Sequence, residues 1–404
     1  MRPFSSVISI GEARRLLSEH VRPVTRTESC RLEDAHGRVA ADDVVASIFV
    51  PPFDRALMDG YAVVADDTTA ASPSSPVTLR IADRIFTGQH SNVALTPGAC
   101  AQIATGAPIP IGADAVVMVE ETTADEGRDD RVRILAAAVS RQNIGARGAD
   151  IQPGQVVVSR GDVLTASRIG ALAAIGVPSV SAYARPRVVV LSTGNEVVAP
   201  GAALGHAEIY DVNRFTLGAV IAANGGVPDL REPVGDTIGE LKAALEASID
   251  ADIIIFSGGS SVGERDLIVD LIESRGQMIF HGIAVKPGKP TAFAMVDGTP
   301  FFGMPGNPTS CLSNAFILFT PYLRATARLP VFLPRTVRAP MGRRISSPTG
   351  RHQFYTVRLQ DGKAMPAFKG SGEITSLSQA DGYIEIPAET NAIDEGTLVD
   401  VKLF

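Results

Sequence analysis

The alternation of apolar and polar positions changes character three times along the chain. From Ser9, SIGEARRLLSEHV sets Ser ahead of Glu at capping-box spacing and places Ala13, Leu16 and Leu17 at helical intervals, which predicts a short first helix. Residues 27 to 50 alternate weakly and end in VVASIFVPPF, where Pro51 and Pro52 cannot continue a ladder and mark a boundary. Between about 60 and 160 come the β-type runs YAVVA, VTLRIA, ACAQIA, AVVMVEE, RVRILAA and VVVS, separated by SPSSP, TGAPIPIGAD and EGRDD. Short runs at that spacing predict an all-β module.

The period then lengthens. Residues 165 to 184 read as a helix followed by a strand, and RVVVLS at 187 to 192 is apolar throughout, as a strand buried on both faces must be. NRFTLGAVIAANGG predicts a helix closed by glycine, DTIGELKAALEASID a second helix, ADIIIFSGG a second buried strand and RDLIVDLIESRG a third helix. Strands and helices alternating from 187 to about 327 predict a parallel, doubly wound sheet. Beyond Pro330 the short runs return in TVRAPMGRRI, FYTVRLQDGKAM, GYIEIPAE and GTLVDVKLF, predicting a small terminal β domain.

Composition narrows the function. A chain of 404 residues holds several domains, and its net charge of −7 excludes a sequence-wide basic field for nucleic acid or an anionic membrane. Any anion must be held locally. Cys30, Cys100 and Cys311 are far apart and form no CxxC pair, against a disulfide framework or zinc knuckle and in favour of a reducing cytoplasm. The six histidines show no metal-ligand spacing. The apolar stretch of MRPFSSVISIGEARRLL is too short for a secretory signal, and the longest uncharged stretch, Ile169 to Ala184, is too short for a membrane span.

The candidate chemistry sits where buried strands run into glycine loops: Ser192 to Glu196, Ser257 to Asp266, and Gly303 to Ser310. In open α/β sheets ligands bind beyond the carboxyl ends of strands, where glycine lets backbone N–H groups approach an anion. The three loops are therefore expected to meet over one anion, with Ser257, Gly258, Gly259, Gly306 and Asn307 among the binding residues. None matches GxGxxG or GxxxxGK[ST], so neither a dinucleotide enzyme nor a P-loop NTPase is supported. A lone glycine loop is more often only a turn; three in one sheet favour a site. AVKPGKPTAFA adds Lys286 and Lys289 on a stiff turn. Asp236 and Asp266, at the sheet's edges, are candidates for a hard divalent cation shared with phosphate, although Asp236 also stands at N-cap spacing before TIGEL. PPFDRALMDGYAV and IATGAPIPIGADAVVMVEE are shaped loops able to present Asp59, Thr105 or Glu120 to a cleft; by itself, Asp59 before Gly60 reads as a turn.

Taken in order, PPFDxxxMDGYAV, IATGAPIPxGADAVVMVEE, LSTGNEV, SGGxSVGERD, KPGKPTAFA and GMPGNPTS resemble the molybdopterin molybdenumtransferases, the MoeA and gephyrin E-domain family, over essentially the whole chain. The resemblance implies a multidomain α/β plus β fold: a linking or N-terminal region at 1–50 and 142–185, an inserted all-β lobe at 51–141, a central MogA-like domain at 186–329 and a C-terminal β-barrel at 330–404. It also implies a cytoplasmic homodimer with its site in a cleft shared between subunits, and a MogA-like molybdopterin adenylyltransferase as upstream partner. The implied reaction is insertion of molybdate into adenylylated molybdopterin with release of AMP, assisted by Mg²⁺. On matching positions Asp59, Thr105, Glu196 and Lys286 take catalytic roles, Lys289 and Ser310 fall in the molybdate-pocket segments, and Asp236 and Asp266 become the metal ligands. Arg351 or Arg358 adds positive charge from the last domain.

The sequence departs from the family at three places. Gly282 stands where a lysine is usual, Ala56 replaces a serine in the FDxSxMDGYAV loop, and Val212 replaces a small hydroxyl in YDVN. Each lost donor is worth about 1.5–3 kcal/mol if it bonded a charged group. A second reading follows, a catalytically weakened paralogue acting as a cofactor-binding or scaffold protein, and on it Gly282→Lys is expected to raise activity. A third, an adenylyltransferase built on the α/β domain alone, leaves the β lobe and barrel without a purpose.

Overall fold

The computed structural model describes residues 7–125, 127–258 and 267–404. They form two compact units, one of Met1–Glu28, Gly37–Val39 and Ala182–Phe404, the other of Ser29–His36 and Ala40–Ser181.

The first unit is organised by a six-stranded sheet in the order Val227–Leu230, Arg187–Ser192, Ile253–Ser257, Thr299–Met304, Ala292–Val296, Gly276–His281. The first four strands are parallel. Only Ala292–Val296 runs against the rest: it is antiparallel to both its neighbours, Thr299–Met304 and Gly276–His281. The expected all-parallel sheet is thus mixed. The cause is local, a two-residue Asp297-Gly298 turn in which both residues have positive φ (46° and 83°), the geometry that folds a chain straight back beside itself.

Both faces of the sheet are buried, as the uninterrupted apolar runs require. Val188, Val190, Ile253, Ile255 and Phe302 pack with Leu217 and Ile221 of the helix Asn213–Ala223 and with Phe319, Tyr322 and Leu323. On the other face Val189, Leu191, Ile254, Phe256 and Phe301 meet Leu241, Leu245 and Ile272 of the helices Ile238–Glu246 and Leu267–Arg275. Each such side chain contributes about 1.5–3 kcal/mol of apolar burial, so the sheet is a rigid base for the loops at its ends. The first helix, Ile10–Glu19, begins as predicted: Ser9 Oγ accepts the Glu12 N–H at 3.1 Å, and Ala13 and Leu17 join the first of these cores.

The terminal β region follows the order Val285–Lys286, His352–Gln360, Gly382–Ile386, Leu398–Leu403, Thr336–Pro340, with Lys363–Pro366 added to His352–Gln360. A bridge between Met341 and Ala364 brings its far ends together. The second unit carries a six-stranded sheet ordered Ala115–Met118, Gly60–Val63, Ala99–Ile103, Val77–Ile85, Arg128–Ile134, Thr122–Asp125, with an apolar cluster on each face. Among the described residues no helix is long and apolar enough to cross a membrane.

Candidate active site

Register places the three glycine loops at one level. Ser192 pairs with Ser257 and Ser257 with Met304, so the strands end side by side and their loops leave from the same edge. Close approach there needs glycine. Gly258 has φ +101°, and a Cβ on it would stand 2.4 Å from the Thr193 carbonyl oxygen.

These loops line a cleft of about 1180 Å³ that takes in Glu196, Asp236, Ser257, Gly258, Lys286, Lys289, Gly306, Asn307 and Ser310. The sequence-predicted residues of the central domain that the structure describes therefore share one cavity. Gly259 and Asp266 lie outside the described residues.

The lysine turn is held from beneath. Asn314 is fully buried and its Nδ2 donates to the Gly288 carbonyl at 2.8 Å and to Thr291 Oγ1 at 2.6 Å. A Cβ on Gly288 (φ +101°) would lie 2.2 Å from that nitrogen. Only glycine allows the turn to seat on Asn314 with Lys286 and Lys289 on the cleft wall. Val285–Lys286 also pairs in parallel with His352–Gln353, which brings the neighbouring Arg351 to the same wall. Arg358 is not part of it and donates to the Gln379 carbonyl at 2.9 Å.

Sequence reasoning missed a fourth loop, Phe368–Gly372, which adds Lys369 to the lining. It clasps the start of the helix Pro308–Asn314: Asn307 Nδ2 donates to Ser371 Oγ at 3.2 Å, the Thr309 N–H to the Ser371 carbonyl at 3.1 Å, and Thr309 Oγ1 to the Glu373 carbonyl at 2.7 Å. The signal was present in KGSG, a glycine-rich turn of the same kind as the other three. Asp211 and Asn213 of the YDVN segment were also missed. They are buried on the cleft lining, and Asp211 Oδ1 accepts from Ser192 Oγ at 2.8 Å.

The acidic side of the cleft is formed by Glu196 and Asp236. The Asp236 N–H donates to Asn195 Oδ1 at 3.3 Å, tying the two loops. Asp236 is not a helix cap. That position belongs to Thr237, whose Oγ1 accepts the Glu240 N–H at 3.3 Å, so the Asp236 carboxylate is left for other work. Its side chain reaches water, yet partial burial, then the Glu196 charge, raise its pKa above the ordinary carboxylate value. Two carboxylates side by side suit a divalent cation that shares its remaining positions with phosphate. Among the described residues there is no group of three His, Cys, Asp or Glu side chains able to hold a metal by themselves.

Asp59 and Thr105 lie in the second unit, where Asp59 Oδ1 accepts from the Thr105 N–H at 2.7 Å and from Thr105 Oγ1 at 2.9 Å. Those two bonds hold the Asp59 carboxyl below its usual range and keep it ionised. Glu120 is exposed in the short helix Val119–Glu121.

The three departures have local explanations. Gly282 is buried at φ +99°, its N–H bonded to the Thr291 carbonyl and its carbonyl to the Ile8 N–H, and it is absent from the cleft lining; a lysine there would be strained, which argues against a gain from Gly282→Lys. Ala56 is 1% exposed within an apolar cluster with Ala62, Ile103 and Ala107, where a hydroxyl would have to be desolvated. Val212 stands at the N-cap of the helix Asn213–Ala223, but the capping bond is made by Asp211, whose Oδ1 accepts the Arg214 N–H at 3.0 Å.

Comparison with known proteins agrees along the chain. Residues 8–176 match the model of the MoeA N-terminal region (domains I and II), 189–325 a probable molybdopterin binding domain, and 338–404 the MoeA C-terminal region (domain IV). Molybdopterin molybdenumtransferase 2 of Mycobacterium tuberculosis is 34% identical over 97% of this chain and 98% of its own. The molybdopterin molybdenumtransferase of Haemophilus influenzae is 32% identical over 98% and 99%. The crystal structure of the molybdopterin biosynthesis MoeA protein from Pyrococcus horikosii superimposes with a TM-score of 0.83 at 36% identity, covering 98% of this chain and 99% of that one. The chain belongs to the molybdopterin molybdenumtransferase family, the MoeA family.

Proposed function

We propose that this chain acts in molybdenum cofactor biosynthesis as a transferase that inserts molybdate into adenylylated molybdopterin and releases AMP. The observation that carries the proposal is the cleft of the first unit, which gathers four glycine-bearing loops, four cationic side chains (Lys286, Lys289, Arg351 and Lys369) and the Glu196–Asp236 pair. That combination suits a substrate with several anionic groups and a cation between them. Relatives that match over nearly the full chain are named molybdopterin molybdenumtransferases, and the local explanations of the departures weigh against the scaffold reading.

In this reading Lys286 and Lys289 hold the oxyanion while Ser310, Ser257 and the backbone of Gly258, Gly259, Gly306 and Asn307 orient it and the pterin phosphate. Glu196 and Asp236, with Asp266, would hold Mg²⁺, whose chemistry is to neutralise phosphate oxygens as the bond to AMP breaks. Asp59, kept ionised by Thr105, serves as a fixed charge or proton acceptor. We further propose a cytoplasmic homodimer supplied by a MogA-like molybdopterin adenylyltransferase, with the terminal β region as the barrel domain at 330–404, the β lobe at 51–141, the linking region at 1–50 and 142–185 and the MogA-like domain at 186–329.

The test is reconstitution. Purified chain with adenylylated molybdopterin, molybdate and Mg²⁺ is expected to release AMP and yield metal-loaded cofactor, and sedimentation to give a dimer mass. Lys286→Ala is expected to lower turnover by about tenfold or more, the loss of one charge-assisted bond. Folded protein that releases no AMP in this mixture overturns the proposal.

A further inference from the structure

Asn213, at the first position of the helix Asn213–Ala223, is 7% exposed and lies against the cleft without a role in the chemistry above. Its Nδ2 donates to Ser257 Oγ at 2.7 Å and to the Gly306 carbonyl at 2.8 Å, with the Pro305 carbonyl at 3.5 Å. An amide NH₂ has two hydrogens, and the two short bonds use both. The orientation is set by chemistry, because a carbonyl only accepts and the nitrogen rather than Oδ1 must face Gly306.

Two donors are directed as a result. Ser257 Oγ receives a hydrogen from Asn213, so its own hydrogen points elsewhere. Besides the cleft, the partner within reach among the described residues is Cys311 Sγ at 3.8 Å, a weak acceptor. The Gly306 carbonyl is turned onto Asn213, and in a planar trans peptide the Asn307 N–H must then point the opposite way. Neither the Gly306 nor the Asn307 N–H meets an acceptor among the described residues, and both residues line the cleft.

We infer that Asn213 is a positioning residue that turns the Ser257 hydroxyl and the Asn307 backbone N–H toward an oxyanion in the cleft. The inference rests on the reading of the cleft as an anion site. It links the second and third glycine loops through one side chain.

Calorimetric titration of the full chain with AMP and with molybdate, separately, tests it. Wild type is expected to bind at least one. Asn213→Asp keeps the side-chain shape but replaces both donors with acceptors, and should weaken that binding by about tenfold or more, the loss of a hydrogen bond to a charged group. Ser257→Ala, which leaves Asn213 on Gly306, should weaken it also, and it reports even if substitutions at Asn213 prevent folding. Because Asn213 acts through Ser257, Asn213→Ala with Ser257→Ala should bind no more weakly than Asn213→Ala alone. A merely structural role predicts additive losses instead. Additive losses, or wild-type affinity in Ser257→Ala, overturn the inference while the anion site stands; failure of wild type to bind either anion overturns both.

Discussion

At the scale of single residues, the backbone decides more than side-chain identity. Gly282 illustrates this: the missing lysine invites a restoration, but φ +99° and two backbone bonds hold the position for glycine. Gly282→Lys is expected to cost about 1–3 kcal/mol and to leave turnover no higher than wild type, measurable by chemical denaturation beside an AMP-release assay. Asp236 makes the opposite trade. Its folded pKa is raised, so between the ordinary carboxylate value and that raised value the native state binds more protons than the unfolded chain, and this group's contribution to stability grows as pH falls through the window. At neutral pH its charge opposes folding. Asp236→Asn should therefore hold or raise the neutral-pH Tm while removing the Mg²⁺ response of AMP release. Lys286, Lys289 and Ser310 were legible because strand, glycine turn and charge lie within a few residues of each other. Asp211 and Asn213 were not, since a buried polar side chain earns its meaning from partners such as Ser257 and Gly306, which are distant in sequence.

Among elements, the buried parallel strands and their helices were legible from uninterrupted apolar runs, whereas the expectation of a wholly parallel sheet did not take in the tight Asp297-Gly298 turn that reverses Ala292–Val296. The terminal β region is joined by a charge cluster that gives it a measurable acid response. Glu385, on Gly382–Ile386, meets His352 Nε2 at 3.1 Å and Lys402 Nζ at 2.6 Å, across two neighbouring strands. His352 and then Lys402 bring the Glu385 carboxyl down to about 2 against the outward pull of burial. A lowered folded pKa adds stability above the usual glutamate value near 4.5 that is lost as pH falls toward 2, with an upper bound of about 3 kcal/mol. Denaturation of the full chain at pH 5 and pH 3 should show this loss in wild type and a flatter response in Glu385→Gln.

For the whole molecule, every described candidate of the central domain lies in the first unit, while Asp59 and Thr105 lie in the second. Ligand binding should report that division. With AMP at about a hundredfold excess over Kd the native state gains about 2.7 kcal/mol, and hydrogen exchange should slow first in segments 192–196, 257–258, 286–290 and 305–310 rather than in the six-stranded sheet of the second unit. The order of motifs made the family legible from sequence. The convergence of three glycine loops was legible too, but the joining of the fourth, Phe368–Gly372, was not, because it depends on the Ser371 clasp, between residues distant in sequence. That clasp bears on biosynthesis. Ser371 and Glu373 leave the ribosome after nearly all the rest, so a growing polypeptide can complete its α/β sheet and still lack the last wall of the cavity. A polypeptide ending before Phe368 is therefore expected to keep the α/β sheet and to bind AMP or molybdate more weakly than the full chain.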